Sequence, residues 1–99
     1  MVTTEQVYNA LETVMDPEIG FNVVDLGLIY DVRISDAGAV EVDATLTSMG
    51  CPMGPQMMME MHDVIEKLPG VTSVAVKLVW EPMWTPDMMK EELRWLLGR

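Results

Sequence analysis

The chain has one cysteine, Cys51, one histidine, His62, and only six basic residues among 99. A lone cysteine cannot close an internal disulfide, so a disulfide-stapled scaffold is excluded and a reducing compartment fits. The six bases stand against 16 acids, a net charge of -10. Such a surface repels the phosphate backbone that supplies most nucleic-acid affinity, so nucleic acid is not an expected partner. The same charge repels anionic membranes and favours a basic protein partner or a cation, although it also serves solubility. No apolar run approaches the roughly 18 to 20 residues needed to cross a bilayer, and no basic-then-apolar signal segment opens the sequence. The chain therefore reads as a mature cytoplasmic protein.

What is present suits a folded chain. Apolar residues make up 49% of it and charged residues 22%, spread along its length, which predicts one globular domain over residues 1–99 with room for two layers. After Thr4-Glu5-Gln6, Val7, Ala10, Leu11, Val14 and Met15 recur at spacings of three and four and predict a helix ending at Asp16-Pro17. Residues 18–27, punctuated by Gly20 and Gly27, predict an ordered loop against the core. From Leu28 the period is two. Leu28, Tyr30, Val32 and Ile34 alternate with Ile29, Asp31, Arg33 and Ser35. After the turn Ser35-Asp36-Ala37-Gly38, Val40, Val42, Ala44 and Leu46 alternate with Glu41, Asp43, Thr45 and Thr47. This predicts an antiparallel hairpin with one oily and one polar face.

Met57, Met58, Met61, Val64, Ile65 and Leu68 mark one side of a second helix, beginning at Pro52 or Pro55 and closed by Leu68-Pro69-Gly70. Val74, Val76, Leu78 and Trp80 predict a third strand. Thr85-Pro86-Asp87 then starts a last helix with Met89, Leu93, Leu96 and Leu97 inward. The order α-β-β-α-β-α defines an α/β (α+β) two-layer sandwich with a three-stranded mixed sheet. Alternation alone leaves the third strand free to join either edge of the hairpin.

Cys51 falls between the end of the second strand and the start of the second helix. Unpaired backbone N–H groups and the positive end of the helix dipole favour thiolate there. Gly50 and Gly54 keep the surrounding backbone uncluttered. The alternative is a small buried residue filling a tight corner. A nucleophilic enzyme would need a base within hydrogen-bond reach, and His62 lies roughly 10 Å along the helix from Pro55, too far for a dyad. His62 reads as a solvated surface residue, and the chain as a non-enzyme. A closed metal site takes four protein ligands, and this chain offers one thiolate. Two routes remain: a two-fold dimer bringing two copies of Cys51 together, or a site shared with a partner. Asp16 and Glu18 would add oxygen ligands if their loop packs beside Cys51. Otherwise they terminate a helix and solvate a loop. The methionine run raises Cu(I) binding, but Met57, Met58 and Met61 are needed for the core stripe. Met53 and Met59 fall outside it and suit an interface. Trp80 and Trp84, flanking Glu81-Pro82-Met83, either anchor a partner or fill the end of the core.

Asp16-Pro17-Glu18, the run Val24-Asp25-Leu26-Gly27-Leu28-Ile29-Tyr30, Leu46-Thr47 with Cys51-Pro52, Leu68-Pro69-Gly70-Val71 and Trp84-Thr85-Pro86-Asp87 occur together in this order. In these segments the chain resembles the small iron-sulfur cluster maturation family that includes the SufT proteins, the eukaryotic cytosolic iron-sulfur targeting subunit and the PaaD component of phenylacetate degradation. The resemblance implies an iron-sulfur cluster assembly-like fold and a transfer or targeting role toward iron-sulfur client proteins. Cys51 matches the family's reactive cysteine, which implies transient binding of iron or an iron-sulfur cluster, and Asp16 and Glu18 match its acidic loop. A homodimer or the client would supply the remaining ligands. Two other roles stay open: a metal-free adaptor recognising clients through the acidic surface and the Trp84 region, and a PaaD-like subunit of a dedicated oxygenase.

Overall fold

A capping box starts the first helix. Thr3 Oγ1 accepts the Gln6 N–H at 3.2 Å while Gln6 Oε1 accepts the Thr3 N–H at 2.9 Å, satisfying two donors that the helix cannot. Helix α1 (Thr4–Leu11) buries Val7 and Leu11. The computed structural model describes residues 2–16, 20–46 and 54–97. In it α1 stops earlier than the sequence periodicity predicts. Glu12 caps it and the Thr13 hydroxyl turns back to Ala10 O at 2.6 Å. Val14 still reaches the core, at 1% exposure, but Met15, expected inward, is 47% exposed and bridges Asn22 instead. The loop that follows packs as expected, with Val23 and Leu26 fully buried.

The sheet has the order β1-β2-β3, with β1 (Ile29–Ile34) antiparallel to β2 (Ala39–Ala44) and β3 (Ser73–Leu78) parallel to β2 on its other side. The third strand thus joins the second, a choice its alternation left open. Helix α2 (Gly54–Glu66) makes the crossover, a connection of the kind parallel strands require. Its Met57, Met61 and Ile65, with Val7 and Leu11 of α1, bury Val40, Val42 and Ala44 of the central strand. Each such fully buried side chain contributes about 1.5–3 kcal/mol. Met59, off that stripe, is 66% exposed.

Two departures concern the polar face of the hairpin. Ile29 pairs with Ala44 but Asp31 pairs with Asp43, so β1 advances two residues while β2 advances one. Tyr30 is the extra residue of a β-bulge, and Ile29 is turned to the face of Ala44 rather than the polar face. Thr45, also expected on the polar face, is fully buried.

The last segment departs too. The helix expected from Pro86 is divided into a 3₁₀ turn (Pro86–Met88) and α3 (Glu91–Leu97). Met89 and Leu93 are buried as expected, while the side chains of Leu96 and Leu97 lie outside the described residues. Between β3 and α3 the chain straps across the loop before β1. Trp84 Nε1 donates to Leu26 O at 2.8 Å, Tyr30 Oη to Pro82 O at 2.8 Å, and Lys90 N to Asp25 O at 2.7 Å.

Candidate functional site

Beyond the end of β2 at Ala44 the chain continues through Thr45 and Leu46, both buried, toward the segment that carries Cys51. On its far side α2 begins at Gly54, one residue before Pro55. Gly54 lies so close to Leu46 that an added Cβ would sit 2.6 Å from Leu46 Cδ1. The two ends of the Cys51 segment are therefore held against each other, between the C-terminal end of the central strand and the N-terminus of a 13-residue helix. Cys51 itself lies outside the described residues, as do Glu18 and Met53.

Asp16 is described and is 1% exposed, a rare state for an aspartate unless it is paired. It takes part in a polar interaction within the fold. Its backbone shapes a tight loop: Asp16 N donates to Phe21 O at 2.9 Å, and Gly20 N to Asp16 O at 2.7 Å. At that burial Asp16 is shielded from water, which removes loop solvation as the reason for its presence. Trp84 is half-buried and its indole N–H is spent on Leu26 O, so it works as a clamp for the strap.

His62 projects from the surface of α2. Its Nδ1 is 3.5 Å from Asp63 Oδ1, and Glu66 completes a group whose ligand atoms lie within 4.8 Å of one another. No second feature there points to a bound ion.

Sequence reasoning missed the surroundings of Tyr30. Bulging places this residue beside an open cleft of about 540 Å³, lined also by Ile29, Asp43, Glu81, Pro82 and Met88. Burial raises the Tyr30 pKa above its ordinary value, and the Thr45 hydroxyl opposes that rise, though Thr45 Oγ1 forms no hydrogen bond of full geometry. Beyond the cleft, Arg33 contacts Asp31 at 2.6 Å, Glu41 at 3.3 Å and Asp43 at 3.0 Å. The guanidinium hydrogen bond holds the Asp43 carboxyl below its ordinary pKa. A signal was available: Leu28-Ile29-Tyr30 is an apolar triplet that breaks the period of two where the bulge falls.

Together these features define a small α+β domain in which a lone thiol is carried between strand and helix. The iron-sulfur cluster assembly protein family matches residues 4–78, and the chain belongs to that family. It is 47% identical over 85 residues to the Fe-S protein maturation auxiliary factor SufT of Staphylococcus aureus, covering 86% of this chain and 97% of the relative. It is 43% identical over 94 residues to the Fe-S protein maturation auxiliary factor YitW of Bacillus subtilis, covering 95% and 92%. Among solved structures, a conserved hypothetical protein of Thermotoga maritima superposes with a TM-score of 0.89 at 43% identity, covering 99% of this chain and 96% of that one. The fold expected from the sequence, a two-layer domain with a three-stranded mixed sheet, is thus the family's fold. Among the described residues no helix is long and apolar enough to cross a membrane.

Proposed function

We propose that the chain is an iron-sulfur protein maturation factor that hands iron or a cluster to client proteins through a transient bond to Cys51. The relatives named as Fe-S protein maturation auxiliary factors, matched over nearly their whole length, support the general role. The observation that carries the local assignment is the frame around Cys51. The strand end and helix start are held close at Leu46 and Gly54, and the positive end of a helix dipole favours thiolate at such a position. The ligand count supports handover over storage. One thiolate per chain is far short of the four ligands of a lasting cluster site, so the cargo must borrow ligands from the client or from a second copy. Asp16 and Glu18, the two acids of the loop after α1, are the oxygen donors this reading assigns to the cargo. The cluster is cargo, and the chain acts as a carrier in the cytoplasm rather than as an enzyme.

The cellular test is complementation. In a strain lacking the chain and deficient in iron-sulfur enzyme activity, the wild type restores that activity and Cys51→Ala does not. Asp16→Asn, which keeps the side chain's size and much of its hydrogen bonding, gives partial restoration. Full restoration by Cys51→Ala rules out the thiol as the transfer group.

A further inference from the structure

The cleft beside Tyr30 is open and holds about 540 Å³, within the range of small-molecule sites. None of the residues lining it belongs to the frame at Leu46 and Gly54. Three of them have polar side chains, Tyr30, Asp43 and Glu81. Only Tyr30 carries a donor, and its hydroxyl is already given to Pro82 O at 2.8 Å. The other two are carboxylates, which only accept when ionised. The Met88 sulfur, 3.4 Å from the same hydroxyl, is a weak acceptor as well. The side chains of this cleft accept hydrogen bonds and have none left to offer, so a ligand matched to them is a donor.

Charge narrows the class. Two bases stand on the same face of the sheet, and both are engaged. Arg33 Nη1 and Nη2 reach the two oxygens of Asp43 at 3.1 and 3.0 Å, with further contacts to Asp31 and Glu41, and Lys77 reaches Glu41 at 3.8 Å. Four acids, Asp31, Glu41, Asp43 and Glu81, thus meet two bases, and negative charge is left over. It is left on Glu81, which is exposed and forms no ion pair among the described residues. The matched ligand is therefore a cation. A bare metal ion is not matched, because among the described residues the ligand atoms of these acids do not converge as those of a metal site do.

The rest of the wall is apolar. Val79, Pro82 and Met88 line it, and the Tyr30 ring adds an aromatic surface of the kind that attracts a cation. A hydrated inorganic ion makes no use of such a wall. An alkyl chain ending in an ammonium fits both parts, since its stem covers the apolar residues while its head reaches the free carboxylate.

We propose that the cleft binds a primary ammonium on a short alkyl stem, the chemistry shared by a lysine side chain of a partner protein and a free aliphatic diamine. Glu81 takes the charged head beside the Tyr30 ring, and Val79, Pro82 and Met88 take the methylenes. One unpaired carboxylate matches one ammonium, which favours the lysine side chain over a diamine, whose second charge finds no partner here.

The test uses the full chain, with the methyl resonances of Val79 and Met88 as reporters. It is titrated with Nα-acetyl-lysine methylamide, 1,5-diaminopentane, 1-pentanol and pentanoate, each to about 10 mM, enough to fill most of a site of about millimolar affinity. The lysine derivative is expected to shift both methyl signals saturably, with an affinity that falls as salt is raised. Pentanol and pentanoate, which keep the stem and lose the positive charge, are expected to give no saturable shift. Glu81→Gln keeps the size of an exposed side chain and is expected to weaken binding of the lysine derivative at least about threefold, the worth of an exposed ion pair. Cys51→Ala binds as wild type does, so this result is separate from that of the iron handover. Tighter binding of the diamine than of the lysine derivative assigns the site to a free amine, and the reverse assigns it to a partner's side chain. Absence of a saturable shift with either amine overturns the proposal, as does equal binding of pentanol or pentanoate, or an unchanged affinity in Glu81→Gln.

Discussion

Tyr30 shows how one residue redirects an element. As the extra residue of the bulge it sends Ile29 to the core face and its own ring to the cleft, where its hydroxyl donates to Pro82 O at 2.8 Å. Tyr30→Phe removes that tie while keeping the ring, and is expected to lower stability by about 0.5–1.5 kcal/mol in urea denaturation. A larger loss would mean that the strap detaches. The Arg33 cluster is a surface feature with a pH signature. Asp43 has a folded pKa below its ordinary value because Arg33 hydrogen-bonds its ionised form. Its contribution is therefore fully present above the unfolded carboxylate value, about 3.9, and is lost as pH falls through the lower folded value. In Arg33→Ala, a carboxyl-carbon NMR titration should find the Asp43 pKa raised, and acid denaturation should depend less on pH below about 4. An unmoved Asp43 would show that the crossed ion pairs do not persist in solution. Neither feature was legible as chemistry beforehand. The sequence reading ran an unbroken period of two through Leu28-Ile29-Tyr30, because where a bulge falls and which way it turns its residues depend on the partner strand.

The elements themselves were largely legible, because each carries its own period and punctuation. α2 buries Met57, Met61 and Ile65 as its stripe predicts, and β2 buries alternate residues. The misreadings fall where a long-range contact overrides a local pattern. Val14 continues the spacing of α1, but a loop rather than the helix brings it to the core, with Val14 O accepting the Val23 N–H at 3.0 Å. The last helix is broken near Lys90, whose N–H donates to Asp25 O, a partner that no nearby residue announces. The strap also explains Gly27. At φ +77° it occupies a region that side chains avoid, and a Cβ there would collide with Met88 O. Gly20 has φ +86°, and among the described residues nothing lies within 4 Å of where its Cβ would be. Gly20→Ala thus isolates the conformational cost, about 1–2 kcal/mol, whereas Gly27→Ala adds the backbone collision and should cost more. Equal losses in denaturation would mean that Met88 yields freely. At the other end of the chain, Thr3→Ala removes the cap of α1 and should cost about 1 kcal/mol.

At the scale of the whole molecule, the parallel joining of β3 to β2 makes β2 the central strand of the three, and it is from this strand that the chain leads on to Cys51. That pairing was not legible, since alternation defines a strand's faces but not its neighbours. The position of Cys51 at a strand-to-helix junction was legible, because the period changes from two to 3.6 across it. Asp16 read as a loop acid, and its burial follows from the return of the chain at Phe21, which spacing does not encode. Anaerobic reconstitution with iron and sulfide tests the central assignment most directly. Iron and acid-labile sulfide are counted and the visible absorption recorded for the wild type and Cys51→Ala at matched folding. If Cys51 is the transfer ligand, the wild type takes up iron that it releases to an apo-client, and Cys51→Ala takes up little. Equal iron, equal absorption and equal release by the two proteins would contradict a Cys51-borne handover.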